Sequence, residues 1–291
     1  IGTAITVDVA AAAPGLALAS DTGSSNSDGI TSAGTVNVTG LEAGATWEVS
    51  INGGAFAAGT GSSLTLAAGN YAAGAVQVRQ TDVAGNTSSV GSNAGALNVD
   101  TTAPAAPGVA LGADTGSSNS DGITRDGTVS VSGLEPGASW QFSTDSGATF
   151  GAGNGSSFTL ASGVYTAGQV QVRQTDAAGN QGAATSVATG VTVDSVAPTV
   201  AIQAPAAGPD NTGKLVFDIV FGEAVAGFDA SDVAVGNGTQ GAFTAVSATQ
   251  YQVEVTPASS TTPVNLTLDV AAAAAADIAG NDSAAAAQYL A

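Results

Sequence analysis

The side chains with chemistry to offer in this chain are carboxylates, and their spacing repeats. The run Asp21-Thr22-Gly23-Ser24-Ser25-Asn26-Ser27-Asp28-Gly29-Ile30-Thr31 returns unchanged from Asp114 to Thr124, so Asp114 and Asp121 stand where Asp21 and Asp28 stood. Asn98-Val99-Asp100 returns as Thr192-Val193-Asp194. Gln80-Thr81-Asp82 with Ala84-Gly85-Asn86 returns as Gln174-Thr175-Asp176 with Ala178-Gly179-Asn180, and Asp277-Ile278-Ala279-Gly280-Asn281 keeps the same loop in the last third. Asp8 precedes the first of these blocks.

Clustered carboxylates have two stable arrangements. Two of them about 5 Å apart repel by roughly 3 kcal/mol at an effective dielectric of 20, and four together compete with a domain stability of about 5–15 kcal/mol. They splay into water, or a cation holds them. A single Asp-Gly is read most simply as a turn former. An identical set recurring twice points to a hard cation, and calcium, with its six to eight oxygen ligands and loose geometry, suits carboxylates better than the stricter magnesium.

The rest of the composition narrows the chemistry. Of 291 residues, 23 are acidic and 4 basic, a net charge of -19 that repels nucleic acid and anionic membranes. Cys, His and Met are absent, which removes disulfides, thiolate nucleophiles, imidazole bases and sulfur-ligated zinc. The expectation is a monomer without enzymatic activity, with no nucleic-acid partner and no membrane insertion. No apolar run reaches the length of about 18 residues that a membrane helix needs. Ile1 falls inside the pattern with no basic leader ahead of it, which reads as the interior of a longer chain.

The elements that must position these carboxylates are short strands. Period-two alternation marks Leu16-Ala17-Leu18 as A, 35–39 as B, 46–51 as C, 63–66 as E, 75–79 as F and 96–99 as G, with turn residues between. Trp47, Val49 and Ile51 share one face of C, and Trp140 repeats Trp47. Tyr71 and Tyr165 precede F as a tyrosine corner would. The alanine run 271–276 follows the strand 264–268 and is too short for a stable helix, so it predicts the end of F plus at most one helical turn. The fold is all-β: three tandem immunoglobulin-like β-sandwich domains, 1–100, 101–194 and 195–291, forming an elongated rod.

That topology sends the A–B loop and the end of G to one pole of a sandwich and the B–C and F–G loops to the other. Asp21, Asp28 and Asp100 then meet Asp176, with Glu135 nearby, at the first junction. Asp114, Asp121 and Asp194 meet Asp277, with Asn281, at the second, and Asp8 with Asp82 forms half a site at the upper pole of the first domain.

The Asp-Thr-Gly…Ser-Asp-Gly-Ile-Thr block, the Gln-Thr-Asp-x-Ala-Gly-Asn loop and the Val-Asp-x-x-Ala-Pro linker resemble the bacterial immunoglobulin-like repeats of giant biofilm-associated adhesins. Phe221-Gly222-Glu223-Ala224-Val225 and Phe228-Asp229-Ala230-Ser231-Asp232-Val233 resemble a related bacterial immunoglobulin-like type. The resemblance implies secretion to the bacterial cell surface, mostly by type I systems. It also implies calcium-rigidified extender segments whose partners are the neighbouring repeats and which hold an adhesive tip toward a host or abiotic surface. It carries the ligand role to Asp21, Asp28, Asp100 and Asp176, and to Asp114, Asp121 and Asp194. The third domain lacks the Asp-Thr-Gly block, so ligands at its far end do not follow.

Two other functions have footholds. Asp-Thr-Gly-Ser occurs twice, as in aspartic proteases, but here it runs into a second Asp-Gly turn inside a larger repeat, with no apolar-apolar-Gly element to support a catalytic loop. A carbohydrate- or receptor-binding module would expose aromatics; of 2 Trp and 4 Tyr, Tyr251 and Tyr289 in the third domain are the ones not assigned to a core.

Overall fold

The computed structural model describes residues 7–205, 213–259 and 265–290. In the first unit the strands are β1 (Gly15–Leu18), β2 (Ile30–Thr31), β3 (Thr35–Thr39), β4 (Thr46–Ile51), β5 (Ala57–Ala58), β6 (Ser63–Thr65), β7 (Gly69–Tyr71), β8 (Val76–Thr81), β9 (Gly91–Ser92) and β10 (Leu97–Val99). They form three ladders: β1-β3-β6, β5-β4-β8-β9 and β2-β10-β7. All pairs are antiparallel except β2 with β10, which run parallel.

The second unit repeats this plan strand for strand, with Gly108–Leu111, Thr128–Ser132 and Ser157–Thr159 in one sheet and Ser139–Ser143 against Gln171–Thr175 in the facing one. The third has a four-stranded sheet of Val200–Gln203, Leu215–Phe221, Gln250–Pro257 and Gly238–Ala245, and a three-stranded one of Val233–Gly236, Thr267–Val270 and Tyr289–Leu290. These are three immunoglobulin-like β-sandwiches in tandem.

Alternation explains which side of each strand is buried. In β8, Val76, Val78 and Gln80 face inward while Gln77, Arg79 and Thr81 do not. Val36 and Val38 do the same on β3, and Trp47 lies between the sheets at 4% exposure with Val38 and Val78. The Trp47 Nε1–H donates to the Gly61 carbonyl at 2.9 Å, and Trp140 does so to Gly155 at 2.9 Å, so each indole is buried without an orphaned donor. Tyr71 and Tyr165 each donate their hydroxyl to a carbonyl four residues upstream, Ala67 and Ala161, both at 3.0 Å.

Two expectations fail locally. Ile51, the last residue of β4, is exposed although it pairs with the buried Val76. The alanine run 271–276 does not continue the strand, which ends at Val270, and it stays within the limit of one helical turn by forming none. It makes turns, with Ala273 at φ 61 and Ala276 bridging Ala226, because Ala275 is drawn into the core of the third unit. Val264 lies outside the described residues, and the strand that follows it spans Thr267–Val270. No helix among the described residues is long and apolar enough to cross a membrane.

Candidate metal centres at the poles of the sandwiches

The structure sorts the acidic residues into two populations. Asp21 and Asp28, like Asp114 and Asp121, are engaged by their own loop. Asp21 Oδ2 accepts from the Gly29 amide at 2.9 Å and Asp114 Oδ2 from Gly122 at 2.8 Å. Asp28 Oδ1 accepts from Ile30 and Asp121 Oδ1 from Ile123, both at 3.0 Å, which makes these two ordinary Asx turns. The second oxygens of Asp21 and Asp114 differ: both Oδ1 atoms are buried, and neither has a hydrogen-bond partner among the described residues. An unpaired buried carboxylate oxygen is costly, and it occurs at the same point of both copies of the loop.

The other population gathers at the poles. Asp8, Glu42 and Asp82 bring carboxylate oxygens within 4.8 Å of one another at the upper pole of the first unit. Asp194, Glu223 and Asp277 do the same, within 4.8 Å, where the second unit meets the third. The elements are equivalent. Asp8 and Asp194 come from the segment leading into a sandwich, Glu42 from the loop between β3 and β4, Glu223 just after Leu215–Phe221, and Asp82 and Asp277 from the turn that follows the strand leading to them. Among the described residues, none of the six forms an ion pair with Lys or Arg: Arg79 is held by Glu48 at 2.7 Å and Lys214 by Glu254 at 2.7 Å.

The equivalent residues of the first junction, Asp100, Glu135 and Asp176, are not drawn within that distance of one another. There Asp100 Oδ1 accepts from the Thr102 amide at 2.9 Å, as Asp194 Oδ1 does from the Val196 amide at 3.0 Å, and Asn180 bridges the junction. Its Nδ2 donates to the Asp100 carbonyl at 2.8 Å and to Asp176 Oδ2 at 2.9 Å. Asn281 makes the same pair of bonds to Asp194 O and Asp277 Oδ2 at 2.7 and 2.8 Å, and Asn86 to Asp8 O and Asp82 Oδ2 at 3.1 and 2.8 Å.

These contacts leave marks on ionisation. The Asn86 side chain and the turn amides hold the Asp82 carboxyl below the usual range despite its burial. Glu223 is pushed up, first by burial and then by the charges of Asp277 and Asp194, as a carboxylate facing two others without a counter-ion must be.

The junctions are also closed by hydrogen bonds to backbone carbonyls. Thr22 Oγ1–H donates to Ala178 O at 2.5 Å and the Ser32 amide to the same carbonyl at 3.1 Å. At the second junction Thr115 Oγ1–H donates to Ala279 O at 2.8 Å, and the Arg125 guanidinium bonds the Gly280 carbonyl. Gly23, at φ +98, lies so close to the turn below that an added Cβ would stand 2.0 Å from Ala177 O; at Gly116 the figure is 2.1 Å from Ile278 O. The Asp-Thr-Gly sequence is thus a knob whose Thr-Gly enters the neighbouring unit's turn, and the two knobs serve different junctions. Asp21 and Asp114 therefore do not face each other as a protease dyad does.

Sequence reading missed Glu42 and Glu223, and it missed Asn86 and Asn180 as bridges. The signal was present: Gly40-Leu41-Glu42 recurs as Gly133-Leu134-Glu135, in a loop already assigned to the correct pole. Tyr251 and Tyr289 offer no exposed platform. Tyr251 is 6% exposed among Phe221, Phe228 and Phe243, and Tyr289 packs edge-on to Phe217.

Residues 194–291 match the family described as the bacterial Ig-like domain, a kind of module common in extracellular and surface proteins. Among solved structures, the I-band fragment I67–I69 of titin aligns over 90% of this chain and 92% of that one, at 11% identity and a TM-score of 0.31. Domains FN1–FN3 of chicken CNTN1 align over 96% and 98%, at 12% identity and a TM-score of 0.22. No curated protein matches the chain.

Proposed function

We propose that this chain is an extender segment of a secreted or cell-surface bacterial adhesin, stiffened by calcium where one sandwich meets the next, and that it supports cell adhesion and biofilm formation. The observation that carries the reading is the Asp194–Glu223–Asp277 cluster. One carboxylate ends the second unit and two belong to the third, all within 4.8 Å and, among the described residues, none in an ion pair. An ion there ties two modules together and offsets the repulsion that, after burial, raises Glu223.

The donor set fits the ion. It is oxygen only, it is anionic, and it sits on turns and linkers that adapt to a loose coordination shell, as calcium accepts and magnesium does not. Asp8, Glu42 and Asp82 would hold an ion at the upper pole, and Asp100, Glu135 and Asp176 would do so at the first junction once drawn together. The unpaired Oδ1 atoms of Asp21 and Asp114 add one free acceptor beside each knob. What the ion supplies is mechanical: a bound junction resists bending, and a row of such junctions forms a rod.

Small-angle scattering of the chain with calcium and with a chelator tests this. The expected result is a longer maximum dimension and a less flexible profile with calcium, and Asp194→Ala/Asp277→Ala should lose the difference at the second junction. Identical profiles in both conditions would remove the proposal.

A further inference from the structure

Two glutamines are fully buried at equivalent positions, and neither belongs to the carboxylate clusters. Gln80 and Gln174 are each 0% exposed. A side-chain amide placed there must satisfy two donors and an acceptor inside the sandwich. Gln80 Nε2 donates to Ala12 O at 2.7 Å and to Gly40 O at 3.0 Å, while its Oε1 accepts from the Glu42 amide at 2.8 Å. Gln174 repeats all three bonds, to Ala105 O at 2.8 Å, to Gly133 O at 3.1 Å and from the Glu135 amide at 2.9 Å.

The partners are the segments that supply the pole carboxylates. Ala12 and Ala105 lie on the strap that begins at Asp8 and Asp100. Gly40 and Gly133 open the turn that carries Glu42 and Glu135. Gln80 and Gln174 themselves sit just before Asp82 and Asp176 on the same strand. One amide therefore fixes the backbones of the strap, the turn and the strand relative to one another. An apolar side chain of the same length would fill the space and leave two carbonyls and one amide unpaired.

We propose that Gln80 is a positioning residue for the cation site at the pole of the first unit: it touches no ion and holds the three ligand-bearing segments in register, and Gln174 fixes the same three backbone segments in the second unit, where the carboxylates are not drawn together. This rests on the cation reading above. The third unit is a built-in contrast. Ala275 takes the glutamine's place ahead of Asp277, and the strap is held instead by backbone bonds from Gly222 to Thr199 O and from Ala284 to Pro198 O, both at 2.9 Å.

The test is a calcium titration of the whole chain followed by amide NMR. Asn86, bonded to Asp82, reports the upper pole, and Asn281, bonded to Asp277, reports the second junction. Loss of an outer-shell partner costs about 10–100-fold in metal affinity. Gln80→Met is therefore expected to raise the midpoint at Asn86 about tenfold or more and leave that at Asn281 unmoved. Val38→Ala weakens the same unit from its core and should leave both midpoints in place; a purely structural glutamine predicts that the two variants behave alike. If Gln80→Met does not fold, Gln80→Glu, which keeps the length and the acceptor, replaces it in the same comparison. Parent and variant midpoints at Asn86 within twofold of each other overturn the positioning role alone. A parent whose Asn86 and Asn281 ignore calcium overturns the cation reading and this role with it.

Discussion

Replacing Glu223 by Gln should change the sign of its effect with calcium. The carboxylate faces Asp194 and Asp277 within 4.8 Å. Each such pair is worth about 3 kcal/mol of repulsion at an effective dielectric of 20. Asp194 and Glu223 are half-buried, so water and salt cut this to about 0.5 kcal/mol for each of the two pairs that Glu223 makes. Glu223→Gln removes the repulsion without a change of shape. In chelator, the third unit of the variant is expected to be about 1 kcal/mol more stable, a rise in melting temperature of about 4–8 °C for a domain of this size. With calcium the order reverses. A site occupied at a hundredfold excess over its Kd adds about 2.7 kcal/mol to the parent, and the variant, short of one anionic ligand, gains little of it. Scanning calorimetry of both proteins with chelator and with millimolar calcium reads the crossing directly. A variant that melts below the parent in chelator, or that gains as much from calcium, would refute the reasoning.

Other consequences are simpler. Trp140→Ala empties a site lined by Phe142 and Phe158 and strands the Gly155 carbonyl; urea unfolding should show a loss of about 3–5 kcal/mol in the second unit. Gly116→Ala forces a Cβ against Ile278 O and should open the second junction alone, seen as faster amide exchange at Ser117 and Arg125, whose N–H groups bond across it. Asp145 is held down to about 2, first by Ser143 and then by Thr149. Its folded value lies below the unfolded 3.8, so its support is present above about pH 4 and is lost as pH falls toward 2; a melting-temperature profile of Asp145→Asn should be flatter over that window.

The longer strands were legible because five or six residues suffice to display alternation, as in β3, β4 and β8. Strands of two or three residues, such as β2, β5 and β9, carry no period to read, and tertiary pairing alone defines them. Ile51 misled because alternation marks a face without saying how deeply each residue on it is covered. The alanine run misled because successive alanines carry no alternation to mark that the strand stops at Val270. At the poles, topology placed the loops but not the rotamers. It could not separate Asp28, which satisfies itself within its own turn, from Asp277, which shares a pole with Asp194 and Glu223. Nothing in the repeat separates Glu42 of Gly40-Leu41-Glu42 from its counterpart Glu135, although only Glu42 stands with two aspartates.

The central claim, that a divalent ion joins consecutive sandwiches through their pole carboxylates, is met most directly by a crystal grown in calcium and measured for anomalous scattering. The account predicts an anomalous peak within coordination distance of Asp194, Glu223 and Asp277 together. Well-ordered carboxylates there with only water among them would contradict it.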